Sequence, residues 1–215
     1  DILQRGKLPI LVGGSGLYLQ AVVDNYILSE VKKDGARRRV LEKLTVEALF
    51  NKLKKLSPKM AVKLNQSDRK NKRRLIRYLE ILEQDGNFKN RRGSRKYETL
   101  IIGLKFGKHL LKQRIFKRLL ERLKEQNMIG EVDRLHNRGL SWKKLEEFGL
   151  EYKFIALYLQ GKLHYDEMVV KLSLAIYQFA KRQLTWFKRW EKQGAKINWL
   201  RDDKKIEKLV KEFLK

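Results

Sequence analysis

The sequence predicts an α/β protein that is mostly helical, and three features of the chain indicate this class. Residues 10–12 are a short apolar run, typical of a buried strand, which leads through two glycines into a helix start at Ser15. Residues 97–106 are apolar and rich in strand-forming side chains, which predicts a second core strand. Most of the remaining chain repeats its apolar residues at the spacing of amphipathic helices.

The opening strand, turn and helix have two possible meanings. Gly13 and Gly14 permit a sharp turn and a close backbone approach. A helix N-terminus after such a turn offers backbone N–H groups to an anion. An ordinary strand-to-helix turn with a serine cap fits the same spacing, so both interpretations stay open. No Lys-Ser or Lys-Thr pair follows, so the turn is not a P-loop.

After the opening strand, turn and helix, four more helices are predicted before the second strand, at residues 37–44, 45–55, 57–65 and 67–84. Pro58 in the first turn of the third helix and Gly86 after the fourth are typical helix boundaries. In the fourth helix one face is formed by Leu75, Leu79 and Leu82. The far side carries a cluster of arginines that suits phosphate contacts, namely Arg73, Arg74 and Arg77.

The second half of the chain is also predicted to be helical. Helices are expected at residues 110–126, from Ser141, at 152–160 and from Asp166 to about residue 193, followed by a strand at 196–200 and a helix at 204–215. The longest helix has an apolar stripe formed by Leu172, Ile176, Phe179, Phe187 and Trp190, with Gln183 in its middle. This glutamine is either a core amide bonded to nearby backbone, or an amide that reads a base edge or holds a loop.

Composition points to a polyanionic partner. The 215 residues contain 51 Lys and Arg against 25 Asp and Glu, a net charge of +26, which favours nucleic acid over the alternative of a merely solvated basic surface. The absence of cysteine excludes disulfides and thiolate metal sites, and the three separated histidines indicate no metal site. No apolar run is long enough to cross a bilayer, so we expect a cytoplasmic protein without membrane contact. We also expect a monomer. No nucleophile–base pair or paired carboxylates emerge from the spacing.

Four stretches, in order, resemble the tRNA dimethylallyltransferases, also called tRNA isopentenyltransferases. Residues 8–18 are similar to the family's Val-Gly-Gly-Thr-Gly-Leu-Tyr segment, and residues 73–80 to its Arg-(apolar)-x-Arg-Ala-Leu-Glu helix. Residues 103–118 resemble its Gly-Leu…Arg-Ile-x-x-Arg segment. Residues 180–187 resemble its Ala-Lys-Arg-Gln-x-Thr-Trp-Phe segment almost letter for letter.

The resemblance implies a fold and an activity. The fold would be a P-loop-type α/β core, typical of nucleotide-binding proteins, formed here by residues 1–28 and 97–215. A helical insertion, residues 29–96, would grip the tRNA anticodon arm. The reaction would transfer a dimethylallyl group from dimethylallyl diphosphate to the exocyclic amine of the adenine 3′ to the anticodon, aided by Mg²⁺. That adenine would be flipped into a channel.

The family's phosphate-binding loop and the Asp regarded as its general base are not in this sequence. We therefore expect an N-terminally incomplete chain that lacks the first strands of the sheet and is inactive as it stands. The alternative is a non-catalytic, basic tRNA- or RNA-binding module. A helical DNA-binding protein is disfavoured, because no recognition-helix motif is present.

The resemblance also implies roles for individual residues. Ser15 occupies the position of the channel threonine that contacts the reacting adenine and the diphosphate. Gly13, Gly14 and Lys153 match positions that face the diphosphate. The positions that contact tRNA are matched by Ser15, Arg37, Arg73, Arg74, Arg77, Lys181, Arg182 and Gln183. The chain departs from the family pattern at Tyr177, where Arg is common, at Asn71, where Asp is common, and at Gln126, where Gly is frequent.

Overall fold

The computed structural model of the chain describes residues 1–27, 29, 31–86, 91–201 and 205–215, and these are mostly helical. The chain divides into two compact units. The larger unit consists of Asp1–Leu19 and Glu98–Lys215, and the smaller unit of Gln20–Tyr97. The predicted insertion, residues 29–96, lies inside the span of the smaller unit.

The smaller unit is built from helices and one short antiparallel pair of strands. The first helix, α1 (Gly16–Val23), begins in the larger unit and ends in the smaller one. It is followed by β1 (Tyr26–Ile27), α2 (Gly35–Glu42), α3 (Val46–Leu56), α4 (Pro58–Lys63), α5 (Gln66–Arg69), α6 (Lys72–Asp85) and β2 (Arg91–Arg92). Strand β1 pairs with β2. The buried core is formed by Leu41, Leu49, Leu53, Leu75, Ile76, Leu79 and Leu82.

Side-chain caps account for most of the helix starts in this unit. Thr45 accepts the N–H of Ala48 at the start of α3, and Gly86 ends α6 in the left-handed region (φ 62°). The single helix predicted for residues 67–84 is in fact two helices. Asn71 accepts the N–H of Arg74 and thereby starts α6 as a separate helix after α5.

The larger unit continues with β3 (Ile101–Leu104), α7 (Lys108–Lys124), α8 (Met128–Asn137), α9 (Trp142–Phe148), α10 (Leu150–Leu159), α11 (Tyr165–Lys192), β4 (Ile197–Leu200) and α12 (Ile206–Phe213). Strands β3 and β4 form a parallel pair, with Ile101 opposite Ile197. Both were predicted as strands, and both predictions are confirmed. None of the described helices combines the length and apolar content needed to cross a bilayer.

Helix α11 takes part in the core of this unit through its N-terminal half. Its Met168, Val169 and Leu172 are buried together with residues of α7, α8, α9 and α10. Further along the helix Trp190 is 2% exposed, as its place in the predicted stripe requires. Phe179 is 44% exposed, so its predicted burial is wrong. The stripe is therefore interrupted where α11 carries its most basic segment.

The predicted buried strand at residues 10–12 is not formed. Ile10 and Val12 are 77% and 88% exposed, and their backbone is irregular. In the part of the chain that the structure describes, the strands pair only as β1–β2 and β3–β4, so no ladder includes this segment. An apolar run becomes a strand only where a neighbouring strand completes its hydrogen bonds.

Candidate functional site

The opening turn lies directly against the C-terminal half of α11. An ideal β-carbon on Gly14 would fall 2.3 Å from Nε2 of Gln183, and one on Gly16 would fall 2.3 Å from Cδ1 of Trp186. A β-carbon on Gly13 would have no neighbouring atom within 4 Å. Close packing against the Trp186 ring therefore requires glycine at residue 16, whereas the neighbour of Gly14 is the end of the flexible Gln183 side chain.

Ser15 is held at the start of α1 by backbone hydrogen bonds. Its carbonyl oxygen accepts the N–H groups of Tyr18 (3.0 Å) and Leu19 (3.2 Å), and α1 begins at the next residue. The residue is exposed, whereas Gly16 beside it is buried. The hydroxyl of Ser15 is therefore presented to solvent from a backbone that is packed on α11.

Gln183 is half-buried, and its amide nitrogen packs against Gly14. Of the two interpretations left open for this amide, the contact favours the one in which it holds a loop. The structure thus brings two separately predicted segments, the turn at residues 13–16 and the basic segment of α11, to one place. Sequence spacing contains no signal for this contact, because about 170 residues separate the two segments.

The neighbours of Gln183 on α11 are exposed cations that face aromatic rings. Nζ of Lys181 lies 6.0 Å from the ring centroid of Tyr177, and the guanidinium of Arg182 lies 5.8 Å from that of Phe179. Lys153 is also exposed, but it lies on α10, where the described contacts include no hydrogen bond or ion pair to the turn. Its predicted place at a diphosphate stays a prediction.

Three of the four arginines predicted to contact tRNA in the smaller unit are bonded to this chain's own acidic groups. Arg37 donates two hydrogen bonds to Glu83, at 2.9 and 2.6 Å. These bonds lower the pKa of Glu83 and raise that of Arg37. Arg74 forms an ion pair with Asp68. Arg73 is exposed and has no ion pair with any described residue.

The third of these arginines, Arg77, belongs to a cluster around a buried carboxylate. Glu80 is 1% exposed and accepts two bonds from Arg38, at 2.5 and 3.1 Å. Arg77 donates to Glu80 at 3.3 Å and to the carbonyl of Val31 at 3.1 Å. Arg77 is therefore not simply a solvated residue on the far side of α6.

Sequence reasoning missed the carboxylates of Glu80 and Glu83 as partners of α2. Their spacing of three residues places them on one face of α6. Nothing in the sequence, however, indicates that Arg37 and Arg38, more than 40 residues earlier, lie opposite them. The two pairs tie α2 to α6.

No metal site is recognisable in the described segments. They contain no group of three or more His, Asp or Glu side chains that could hold a metal ion. The Mg²⁺ requirement implied by the resemblance therefore stays a prediction, and none of the chemistry proposed below depends on it.

Known proteins resemble this chain in both sequence and structure. A family model described as IPP transferase matches residues 1–190. The chain is 42% identical over 209 residues to tRNA dimethylallyltransferase 1 of Syntrophus aciditrophicus. This alignment covers 94% of this chain and 66% of that protein. The chain is 40% identical over 214 residues to tRNA dimethylallyltransferase 1 of Geotalea uraniireducens, covering 100% and 69%.

A solved structure agrees with these matches. The crystal structure of the full-length tRNA isopentenylpyrophosphate transferase from Bacillus halodurans aligns with a TM-score of 0.60 and 32% identity, covering 99% of this chain and 66% of that one. This chain thus spans about two thirds of the length of these relatives. The family model covers most of the chain, including the turn and the basic segment of α11, and the chain therefore belongs to the IPP transferase family.

Proposed function

We propose that this chain takes part, as a monomer, in the transfer of a dimethylallyl group from dimethylallyl diphosphate to tRNA. The acceptor is the exocyclic amine of the adenine 3′ to the anticodon. One observation carries the proposal: the turn with the exposed Ser15 is packed on Gln183 and Trp186 of α11. Two segments that resemble those of tRNA dimethylallyltransferases therefore form one surface.

In this proposal the turn binds the reacting groups. The first N–H groups of a helix have no partner within the helix, so the start of α1 offers donors to a diphosphate. The Ser15 hydroxyl contacts the acceptor amine or the diphosphate. Gln183 keeps the turn in place from α11, and Lys181 and Arg182, which are exposed on the same segment, bind the tRNA backbone.

The smaller unit binds the anticodon arm. Arg73 offers an exposed cation on α6, and Arg74, whose side chain is 50% exposed, remains partly accessible beside it. Arg37 and Arg77 act less directly. The bonds from Arg37 to Glu83 join α2 to α6, and Arg77 supports the buried Glu80, which Arg38 of α2 also binds. Of the predicted tRNA contacts in this unit, we assign the direct ones to Arg73 and Arg74.

A non-catalytic RNA-binding module is the second candidate, and the net charge of +26 favours it independently of any chemistry. One experiment distinguishes the two. The chain is incubated with labelled dimethylallyl diphosphate and an anticodon stem-loop RNA, with and without Mg²⁺, and both label transfer and RNA binding are measured.

The control RNA carries guanine in place of the adenine 3′ to the anticodon. Transfer to the adenine RNA alone supports the proposed reaction, and loss of transfer without Mg²⁺ supports the metal requirement. Binding without transfer supports the RNA-binding module. If the chain showed no binding and no transfer, both candidates would be contradicted.

A further inference from the structure

Helices α7 and α11 of the larger unit pack against each other and together form a surface of one charge. Residues 108–120 of α7 contain five Lys and Arg and no Asp or Glu. Residues 168–190 of α11 also contain five Lys and Arg and no Asp or Glu. Among the described ion pairs, only two of these ten cations take part: Lys117 pairs with Glu121 and Lys171 with Glu167, and both carboxylates lie just outside the spans.

Aromatic rings hold several of these cations in place. Nζ of Lys112, on α7, lies 5.2 Å from the ring centroid of Tyr177, and Nζ of Lys181 lies 6.0 Å from the same centroid. Arg114 faces Phe106 at 4.3 Å, and Arg189 faces Trp186 at 4.3 Å. A cation–π contact at an exposed site is worth about 0.5–1 kcal/mol and restricts the side chain.

This arrangement differs from that in the smaller unit. There, Arg37 is bonded to Glu83, and Arg38 and Arg77 share Glu80, so these carboxylates cancel part of the positive charge. A ring positions a cation without cancelling its charge. The ammonium groups around Tyr177 therefore keep their full attraction for an anion.

We propose that Lys112, Tyr177 and Lys181 form a phosphate-binding site for RNA on the surface shared by α7 and α11. The half-buried ring of Tyr177 collects two exposed ammonium groups from different helices, and these contact phosphates of one RNA strand. RNA is favoured over other polyanions because interleaved cations and aromatic rings are typical of surfaces that track a single nucleic-acid strand. The choice of tRNA as the RNA rests on the proposed function.

The test is a salt series of binding measurements with a fluorescent anticodon stem-loop RNA and an unrelated single-stranded RNA of equal length. Lys112→Gln and Lys181→Gln are each expected to reduce the slope of log K against log [salt] by roughly 0.7, the value for one lost phosphate contact on a single strand. The double variant is expected to lose about twice as much. Lys171→Gln is the matched control, because Lys171 lies on α11 but pairs with Glu167 at 2.5 Å.

A second pair of variants tests the ring. Tyr177→Phe keeps the ring and is expected to bind RNA as the original chain does. Tyr177→Leu removes the ring and is expected to weaken binding several-fold, while Lys112 and Lys181 are retained. Melting temperatures of both variants, measured beside that of the original chain, separate a loss of folding from a loss of binding.

The outcomes separate this site from the proposed reaction. Active transfer together with an unchanged salt slope in the double variant would overturn the site and leave the reaction. A reduced slope on both RNAs without any transfer would keep the site and overturn the reaction. Failure of the original chain to bind either RNA would also overturn the site.

Discussion

Gly16 lies directly against the indole of Trp186: a β-carbon on residue 16 would fall 2.3 Å from Cδ1 and 2.6 Å from Cγ of that ring. This contact joins the first turn of α1 to the C-terminal half of α11. Because the ring is rigid and half-buried, it cannot retreat as a flexible side chain would. The position of the turn, and of the Ser15 hydroxyl beside it, is therefore set by α11.

Gly16→Ala is expected to destabilise the protein although alanine is the better helix former. A helix-interior Gly→Ala change alone gains at most about 1 kcal/mol. Overpacking against Trp186 should cost about 1–3 kcal/mol and displace the turn. The free energy of unfolding, measured by urea denaturation, should fall.

Two further glycines serve as controls for this experiment. Gly13→Ala should be nearly neutral, because nothing lies within 4 Å of the added carbon. Gly14→Ala should cost less than Gly16→Ala, because its closest neighbour is the flexible end of Gln183, which can rotate away. Equal effects at the three positions would contradict the proposed packing.

Ser15→Ala tests the hydroxyl of the turn. In the transfer assay we expect turnover to fall about 10-fold or more, which corresponds to the loss of one polar contact of ~1.5 kcal/mol. Stability should not change, since the hydroxyl is exposed and the backbone bonds of Ser15 remain. Ser15→Thr retains the hydroxyl and should retain activity. Unchanged kinetics in the alanine variant would remove Ser15 from the mechanism.

Arg73 and Arg77 lie one turn apart on α6, yet their alanine variants should differ. Arg73→Ala should leave stability unchanged and reduce the salt slope of RNA binding by roughly 0.7–0.9. Arg77→Ala removes bonds to Glu80 and to the Val31 carbonyl, so it should lower the free energy of unfolding by about 1–2 kcal/mol. Thermal melts and binding isotherms of both variants check this difference. If the two variants lost the same stability, the cluster around Glu80 would have no special role.

The Arg37–Glu83 pair makes stability depend on pH in acid. Its hydrogen bonds lower the pKa of Glu83 in the folded protein below the ordinary value of 4.5. At pH values between the lowered and the ordinary pKa, the unfolded chain therefore binds more protons than the folded protein. The contribution is complete above pH 4.5 and is lost as the pH falls through the lowered pKa. Urea denaturation at a series of pH values should show a shallower acid decline for Glu83→Gln. A decline as steep as that of the original chain would exclude this pair as its source.

The sequence by itself determined the family and many of the helix boundaries. The helix start near residue 45 and the stop at Gly86 were readable because the signals for helix ends act within one helical turn of their own position. The buried leucines of α6 were readable for the same reason, since helical periodicity is local. The similarity of residues 180–187 to the family segment likewise needs no structure.

Only the tertiary structure decided what each segment touches. Residues 10–12 have the apolar character of a strand, but no described strand pairs with them, so they are exposed. Arg77 has the spacing of a solvated residue, yet it is bonded to the buried Glu80. The contact of Gly16 with Trp186 joins positions 170 residues apart. Propensity and capping act over a few residues, whereas burial and pairing depend on partners that only the folded chain brings together.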